Sequence, residues 1–316
     1  MNGIAGTARA VAAGHAHSCA IQADTDAVIC WGSNSIGEAT PPPALSALGV
    51  FAIAAGSTHS CALTSTGKAV CWGSDLHGKA TPPDTVNGVR GTASAIAAGT
   101  NHSCAIQTQT DAVVCWGDDS FGQVTAPPTV DGTAGTAIAI ATGALHSCAI
   151  QQATGAVVCW GDDSNGESTP PASVNGTAGV AIAITAGSVQ SCAIQAGSDA
   201  VVCWGGSAQF PATPPPSVDG TAGTAENLAA GSYHTCAIQR KTGAVICWGS
   251  SINGASSPPD TVNGVSGGAS AIAAGGDFGL AIEAVPEPRS AFLCSADFAV
   301  LLALLHWRER WRRRFA

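Results

Sequence analysis

Apolar and polar positions in this chain form short runs that break after about six residues and then return in the same order. A typical unit opens on the small apolar run Ala52-Ile53-Ala54-Ala55-Gly56, continues through His59-Ser60-Cys61-Ala62-Leu63 and closes on Val70-Cys71-Trp72-Gly73. Runs of this length, rich in β-branched residues and bounded by Gly, Asp and Pro, predict strands. Helix is nearly excluded. Proline clusters such as Pro41-Pro42-Pro43, Pro127-Pro128 and Pro214-Pro215-Pro216 cannot sit in a central strand and mark the connections between units.

The glycine that ends the first run recurs as Gly14, Gly56, Gly99, Gly143, Gly187, Gly231 and Gly275, at steps of 42 to 44 residues. A unit of this size cannot bury its own apolar face and must stack on copies of itself. Blocks of about 40 to 45 residues with three or four strands have the dimensions of a propeller blade. The fold expected is therefore all-β, a radial β-propeller with a β-solenoid as second choice. Residues 1–284 hold six complete blades and a partial seventh. Small first runs suit innermost strands crowded around an axis. One tryptophan per complete unit (Trp31, Trp72, Trp116, Trp160, Trp204, Trp248) suits the space between blades, where each indole buries roughly 150 to 250 Å2.

Ala54-Ala55-Gly56, His59-Ser60, Cys71-Trp72-Gly73 and, in the first unit, Asn34 to Gly37 together resemble the regulator of chromosome condensation (RCC1) repeat, over residues 6–282. The resemblance implies a seven-bladed ring, in agreement with seven copies of the first run. These units are shorter than the eukaryotic ones, and cysteines replace apolar strand residues. No segment resembles the wedge with which the chromatin-bound member drives nucleotide exchange, so exchange activity is not implied.

Thirteen cysteines resolve into six spaced pairs plus Cys294. The pairs are Cys19 with Cys30, Cys61 with Cys71, Cys104 with Cys115, Cys148 with Cys159, Cys192 with Cys203 and Cys236 with Cys247. Partners on neighbouring strands of a hairpin come within disulfide reach, and the seventh unit carries Leu280 in this column, so no blade keeps half a pair. Zinc is the rival reading, but no Cys-x-x-Cys occurs. Disulfides imply an oxidising compartment. Cys61 and Cys71 are 10 residues apart where the other pairs are 11, which predicts a bulge or an odd-length loop in that blade.

Residues 285–316 form a separate tail: Val285-Pro286-Glu287-Pro288, an apolar stretch, then Arg308, Arg310, Arg312, Arg313 and Arg314. The order resembles the PEP-CTERM sorting signal of Gram-negative bacteria. That resemblance implies cleavage by an exosortase-like enzyme, transient membrane contact through the tail, and an exported or cell-surface protein. Phe298 to Trp307 is too short to span a bilayer unaided. Met1 to Ala8 have no basic start and no apolar core of 7 to 15 residues, so they do not read as a signal peptide, and they align instead with the linker Val86 to Ala93. The expectation is a frame that begins inside a repeat, with a signal peptide and outer strands for the seventh blade lying upstream.

Residues 1–284 carry 6 Lys+Arg against 18 Asp+Glu, and so acidic a propeller does not suit nucleic acid. The histidine column (His17, His59, His102, His146, His234) is spread around the ring, with Gln190 and Phe278 in the same place, so ring-to-backbone hydrogen bonding is expected rather than catalysis. Asp118-Asp119-Ser120 and Asp162-Asp163-Ser164-Asn165-Gly166 read as turns, since the glycine falls one place early for a calcium loop. No catalytic residue, metal or cofactor is assigned. The function expected is a surface-displayed binding scaffold with a protein or polysaccharide partner, in adhesion or extracellular-matrix association, using rim loops such as Ser207 to Thr213. The alternative is a secreted enzyme acting on glycans through the central face, which would need convergent carboxylates near the axis.

Overall fold

The computed structural model describes residues 7–207 and 212–284. Seven antiparallel sheets stand around a central channel. The first holds β1 (Ala8–Ala13), β2 (His17–Gln22) and β3 (Val28–Gly32); the second β4 (Val50–Ala55), β5 (His59–Thr64) and β6 (Ala69–Gly73). The third holds β7 (Ala93–Ala98), β8 (His102–Gln107) and β9 (Val113–Gly117); the fourth β10 (Ala137–Thr142), β11 (His146–Gln151) and β12 (Val157–Gly161). The fifth holds β13 (Ala181–Ala186), β14 (Gln190–Gln195) and β15 (Val201–Gly205); the sixth β16 (Ala225–Ala230), β17 (His234–Gln239) and β18 (Val245–Gly249). Two strands, β19 (Ala269–Ala274) and β20 (Gly279–Glu283), make the seventh.

First strands line the channel, and β19 packs beside β1, so the ring closes through the seventh sheet, which has two strands among the described residues. The recurring glycines form a collar at one mouth. His15 N donates to Gly56 O at 3.2 Å, Ser57 N to Gly99 O at 3.1 Å, Ser232 N to Gly275 O at 3.0 Å and Gly276 N to Gly14 O at 3.1 Å. A Cβ on any collar glycine would overlap the carbonyl of the next one round the ring. Glycine is required here by closeness of approach, with no positive φ involved.

Middle strands are buried along nearly their whole length because both faces meet a neighbouring blade. Period-two alternation divides their side chains: Cys148 and Ile150 of one blade cluster with Ala193 and Trp204 of the next, over Val157 and Val174. The tryptophans fill these wedges as the sequence predicts, Trp72 to Trp248 being 7–8 % exposed. Trp31, in the first blade beside the two-stranded sheet, is 38 % exposed.

Each cysteine pair joins directly opposed residues of a middle and an outer strand, with Cα atoms 4.0–4.1 Å apart. The 10-residue pair keeps regular register, Cys61 opposite Cys71. Its hairpin is shorter, closing Thr64 N on Lys68 O where the first blade closes Gln22 N on Ala27 O. The irregularity lies in loop length, and no bulge forms between those strands.

The histidines bond otherwise than expected. His17 Nε2 lies 2.8 Å from Ser60 Oγ of the next blade; His59 meets Ser103, His102 meets Ser147 and His146 meets Ser191 in the same way, at 2.8–3.0 Å. Each serine hydroxyl donates in turn to a loop carbonyl: Ser60 to Glu38 O, Ser103 to Lys79 O, Ser147 to Gln123 O and Ser191 to Glu167 O. Because the serine hydrogen is spent there, the ring must donate from Nε2, leaving Nδ1 bare and buried without a partner. The same carbonyls accept the indole N–H of Trp72, Trp116, Trp160 and Trp204 at 2.9–3.0 Å. Side chain, not backbone, takes the histidine, because the middle strands of successive blades bring the two columns into contact.

Burial drives the pKa of His59 down to about 3 and those of His102 and His146 to about 4, from 6.5. The folded state therefore excludes protons that the unfolded chain binds between pH 6.5 and about 4, so stability holds above that window and falls as pH drops through it. Urea midpoints measured from pH 7.5 to 4.5 should fall steeply for the wild type. They should fall less for a combined His59→Gln, His102→Gln, His146→Gln variant, which copies the residue at Gln190, whose buried amide donates to Gly231 O. Equal slopes would remove the histidines as the cause. At the collar, Gly143→Ala should cost about 1–3 kcal/mol by overpacking against Gly187 O, while Gly279→Ala, with its nearest atom 3.8 Å away, should be close to neutral in the same denaturation assay.

Candidate binding surface

The channel is the first place to look for chemistry. It encloses about 340 Å3 between the first strands and about 300 Å3 at the collar mouth. Between the first strands its wall is Ile53, Ile96, Ile140, Ile184, Leu228 and Ile272 among alanines, with the hydroxyls of Thr142 and Thr185, and the mouth adds His15, Ser57, Thr100, Ser188, Ser232 and Tyr233. Among the described residues no Asp, Glu, Lys or Arg lines it. The carboxylates that glycan hydrolysis would need at the axis are not in this lining.

The residues singled out by sequence do not converge. Cys19, Cys61, Cys104, Cys148 and Cys192 are fully buried in their blades. The histidines stand one per interface. Among the described residues no group of three or more His, Cys, Asp or Glu could hold a metal ion. Val285, Pro286, Glu287 and Pro288 lie outside the described residues, as do four positions of the Ser207–Thr213 loop.

Surface character differs between the two faces. Third strands run toward the collar, as the pairing of His17 with Gly32 shows, so the loops that follow them ring that face. Their acidic side chains shape the turns: Asp75 accepts from Ala80 N and Thr81 Oγ1, Asp119 from Val124 N and Thr125 Oγ1, Asp163 from Ser168 N and Thr169 Oγ1. Asp118 is held below the usual carboxylate range by the Ser120 hydroxyl. Four loops lift one apolar side chain into solvent, Leu76 (62 % exposed) and Phe121 (50 %) beside these aspartates, Ile36 (49 %) in a turn held by Asn34 and Ile252 (51 %) in a turn without an acidic residue.

Cations are elsewhere. Arg9 pairs with Asp26 and Arg240 with Asp199 at the hairpin turns of the opposite face, and Lys68 lies in another of those turns. Lys79, the cation of the collar side, is 1 % exposed. Its Nζ donates to Thr58 Oγ1, Thr100 O and Asn101 Oδ1, and burial lowers its pKa while Asp75 opposes the shift. The collar face therefore offers carboxylates and apolar tips with no exposed Lys or Arg among the described loops.

The opposite mouth has a feature that sequence reading missed. In all seven sheets the register shifts near the start of the first strand, leaving Arg9, Phe51, Ser94, Ile138, Ile182, Glu226 and Ser270 without a place in the ladder. The signal available was chemical diversity: this one place in an otherwise small and apolar strand holds a cation, an anion, an aromatic and hydroxyls.

Three stretches, residues 52–79, 93–123 and 137–167, match the family profile described as the regulator of chromosome condensation (RCC1) repeat. Among curated protein sequences none matches the chain. Solved structures do. The ectodomain of the Physcomitrella patens receptor kinase CR4 is 26 % identical with TM-score 0.69, over 89 % of this chain and 71 % of that one. The CRINKLY WD40 ectodomain of the Arabidopsis thaliana receptor kinase ACR4 is 24 % identical with TM-score 0.67, over 88 % and 92 %. Prp20p of Saccharomyces cerevisiae is 19 % identical with TM-score 0.66, over 87 % and 82 %. The chain carries RCC1 repeats and has the fold of an RCC1-like β-propeller.

Proposed function

We propose that this protein is an exported, non-catalytic scaffold that binds a protein partner through its collar-side face. The observation that carries the reading is the set of loop tips Ile36, Leu76, Phe121 and Ile252 on a face where Asp75, Asp119 and Asp163 are exposed, with the exposed Lys and Arg of the described residues on the other face. Apolar side chains held out on well-bonded turns supply contact area at little ordering cost. The aspartates select a basic partner and speed its approach.

Export is supported by the six disulfides, which persist in oxidising compartments, and by likeness to two receptor ectodomains. A propeller neighbour, yeast RCC1 (Prp20), has been solved bound to the protein Kap60. The proposal extends to the tail: residues 285–316 act as a PEP-CTERM sorting signal, recognised at Val285-Pro286-Glu287-Pro288 by an exosortase-like enzyme of a Gram-negative cell. Adhesion or association with the extracellular matrix is the role such a displayed ring would serve.

Cross-linking on intact cells of the native host tests the reading. The wild type should be recovered from the cell exterior with twelve cysteines blocked until reduction, joined to a protein in a complex that weakens as salt rises. Ile36→Ser, Leu76→Ser and Phe121→Ser together should lower that cross-link at least tenfold while leaving the thermal midpoint within a few degrees. Free thiols in a cytoplasmic fraction, or an unchanged cross-link in the triple variant, would overturn it.

A further inference from the structure

The face opposite the collar carries charge in a pattern that the repeat does not impose. On this face the hairpin turns between middle and third strands differ from blade to blade. The first turn holds Asp24 and Asp26, the second Lys68, the third Asp111, the fifth Asp199 and the sixth Arg240 and Lys241, while the fourth holds no charge. Closer to the channel the displaced residues of the first strands form a second ring, with Arg9 in the first blade, Phe51 in the second, Ile182 in the fifth and Glu226 in the sixth. Arg9 and Glu226 are exposed, and Phe51 is 41 % exposed.

A two-fold axis perpendicular to the channel lays this face against the same face of a second copy, with the blades of the two rings running in opposite senses. Seven superpositions then set blade against blade, one for each sheet that can stand on the axis. With the seventh blade on the axis, the first blade meets the sixth, the second the fifth and the third the fourth. Asp24 and Asp26 then face Arg240 and Lys241, Lys68 faces Asp199, and Asp111 faces the uncharged fourth turn. Each of the other superpositions brings like charges together. Three of them set Asp24 and Asp26 against themselves, against Asp111 or against Asp199; the rest set Lys68 against Arg240, Asp199 against itself, or Arg240 and Lys241 against themselves. The inner ring agrees with the first choice, which places Arg9 opposite Glu226 and Phe51 opposite Ile182.

We propose that the protein forms a back-to-back homodimer through the face opposite the collar, in the register that pairs the first blade with the sixth. The occupant is a second copy because the turns are charge-complementary to themselves under one two-fold, which is the condition an isologous interface has to meet. Ion pairs already present hold the charges in place: Asp26 binds Arg9 at 2.9 Å and Asp199 binds Arg240 at 3.1 Å, with 32–52 % of each side chain still open to solvent. The contact strings these into one alternating series across the interface, from Arg9 and Asp26 to the second copy's Arg240 and Asp199 and back to Lys68. Networks of this kind fix register and orientation more than isolated surface pairs do. Both collar faces then point outward, so a partner with two sites is held bivalently. The dimer stands independently of the reading given above for the collar face.

The test uses the full chain with Cys294→Ser, which keeps the tail cysteine out of the association. In sedimentation equilibrium it should dimerise at micromolar concentration, more weakly as salt rises. Lys241→Glu and Asp24→Lys should each weaken self-association at least tenfold, because each substitution acts at both symmetry-related contacts. Neither side chain bonds within its own chain among the described residues, so the thermal midpoint should stay within a few degrees. An equimolar mixture of the two variants should recover a dimer, since Lys241→Glu in one chain then meets Asp24→Lys in the other. Register is read by carbodiimide, which should join Lys241 of one copy to Asp24 of the other; within one chain these residues are two blades apart, beyond the reach of a zero-length link. A monomer, undiminished association in both variants, a mixture that fails to recover, or an open-ended head-to-tail assembly would each overturn the proposal.

Discussion

Seven peptide backbones meeting at one axis is the condition on which this structure depends. At the collar each glycine lies so close to the next that a single methyl group would overlap a carbonyl, and the bonds that close the ring run between these same residues. Everything outward follows from that crowding. The first strands are short and small because they sit where the ring is narrow, and blades that touch at the axis diverge with radius. The diverging wedges must be filled, since a void forfeits dispersion contacts along its whole lining. Tryptophan fills them from the outer strand of one blade and isoleucine with cysteine from the middle strand of the blade before, while alanine lies beside the indole on the same face.

Filling a wedge with an indole, a hydroxyl and an imidazole creates polar groups that water cannot reach. The ring answers with one loop carbonyl per interface, which accepts both the indole and the serine, while the serine accepts the histidine. A chain of donors ending on backbone satisfies every hydrogen and leaves one bare acceptor, the histidine Nδ1. That arrangement requires the imidazole to be neutral, so interior packing and proton affinity are parts of one design. The cost of acid is distributed over several interfaces at once.

Much of this was legible in the chain because a repeat writes the same packing constraint several times. Period, strand order, cysteine pairing and the wedge role of tryptophan all followed from columns such as Gly143, Cys148, Cys159 and Trp160. Contacts between columns were not legible. The histidine partner is a serine 43 to 45 residues away, and the His and Ser columns are adjacent in sequence, so their pairing across blades leaves no trace in local spacing. The register shift at Arg9, Phe51 and Glu226 was equally hidden, because one unpaired residue in a six-residue strand resembles ordinary variation. The shortened hairpin between Cys61 and Cys71 was visible as a deviation, but only the structure assigns it to the loop.

Symmetry also separates what packs from what recognises. A position that recurs around the ring is accounted for by the interface it repeats, whether glycine, histidine or tryptophan. A position that differs from blade to blade while its backbone stays the same is relieved of that duty and free to meet something outside. By this criterion the loop tips qualify, since Asn34, Asp75, Asp119 and Asp163 hold nearly identical turns beneath Ile36, Leu76, Phe121 and Asn165.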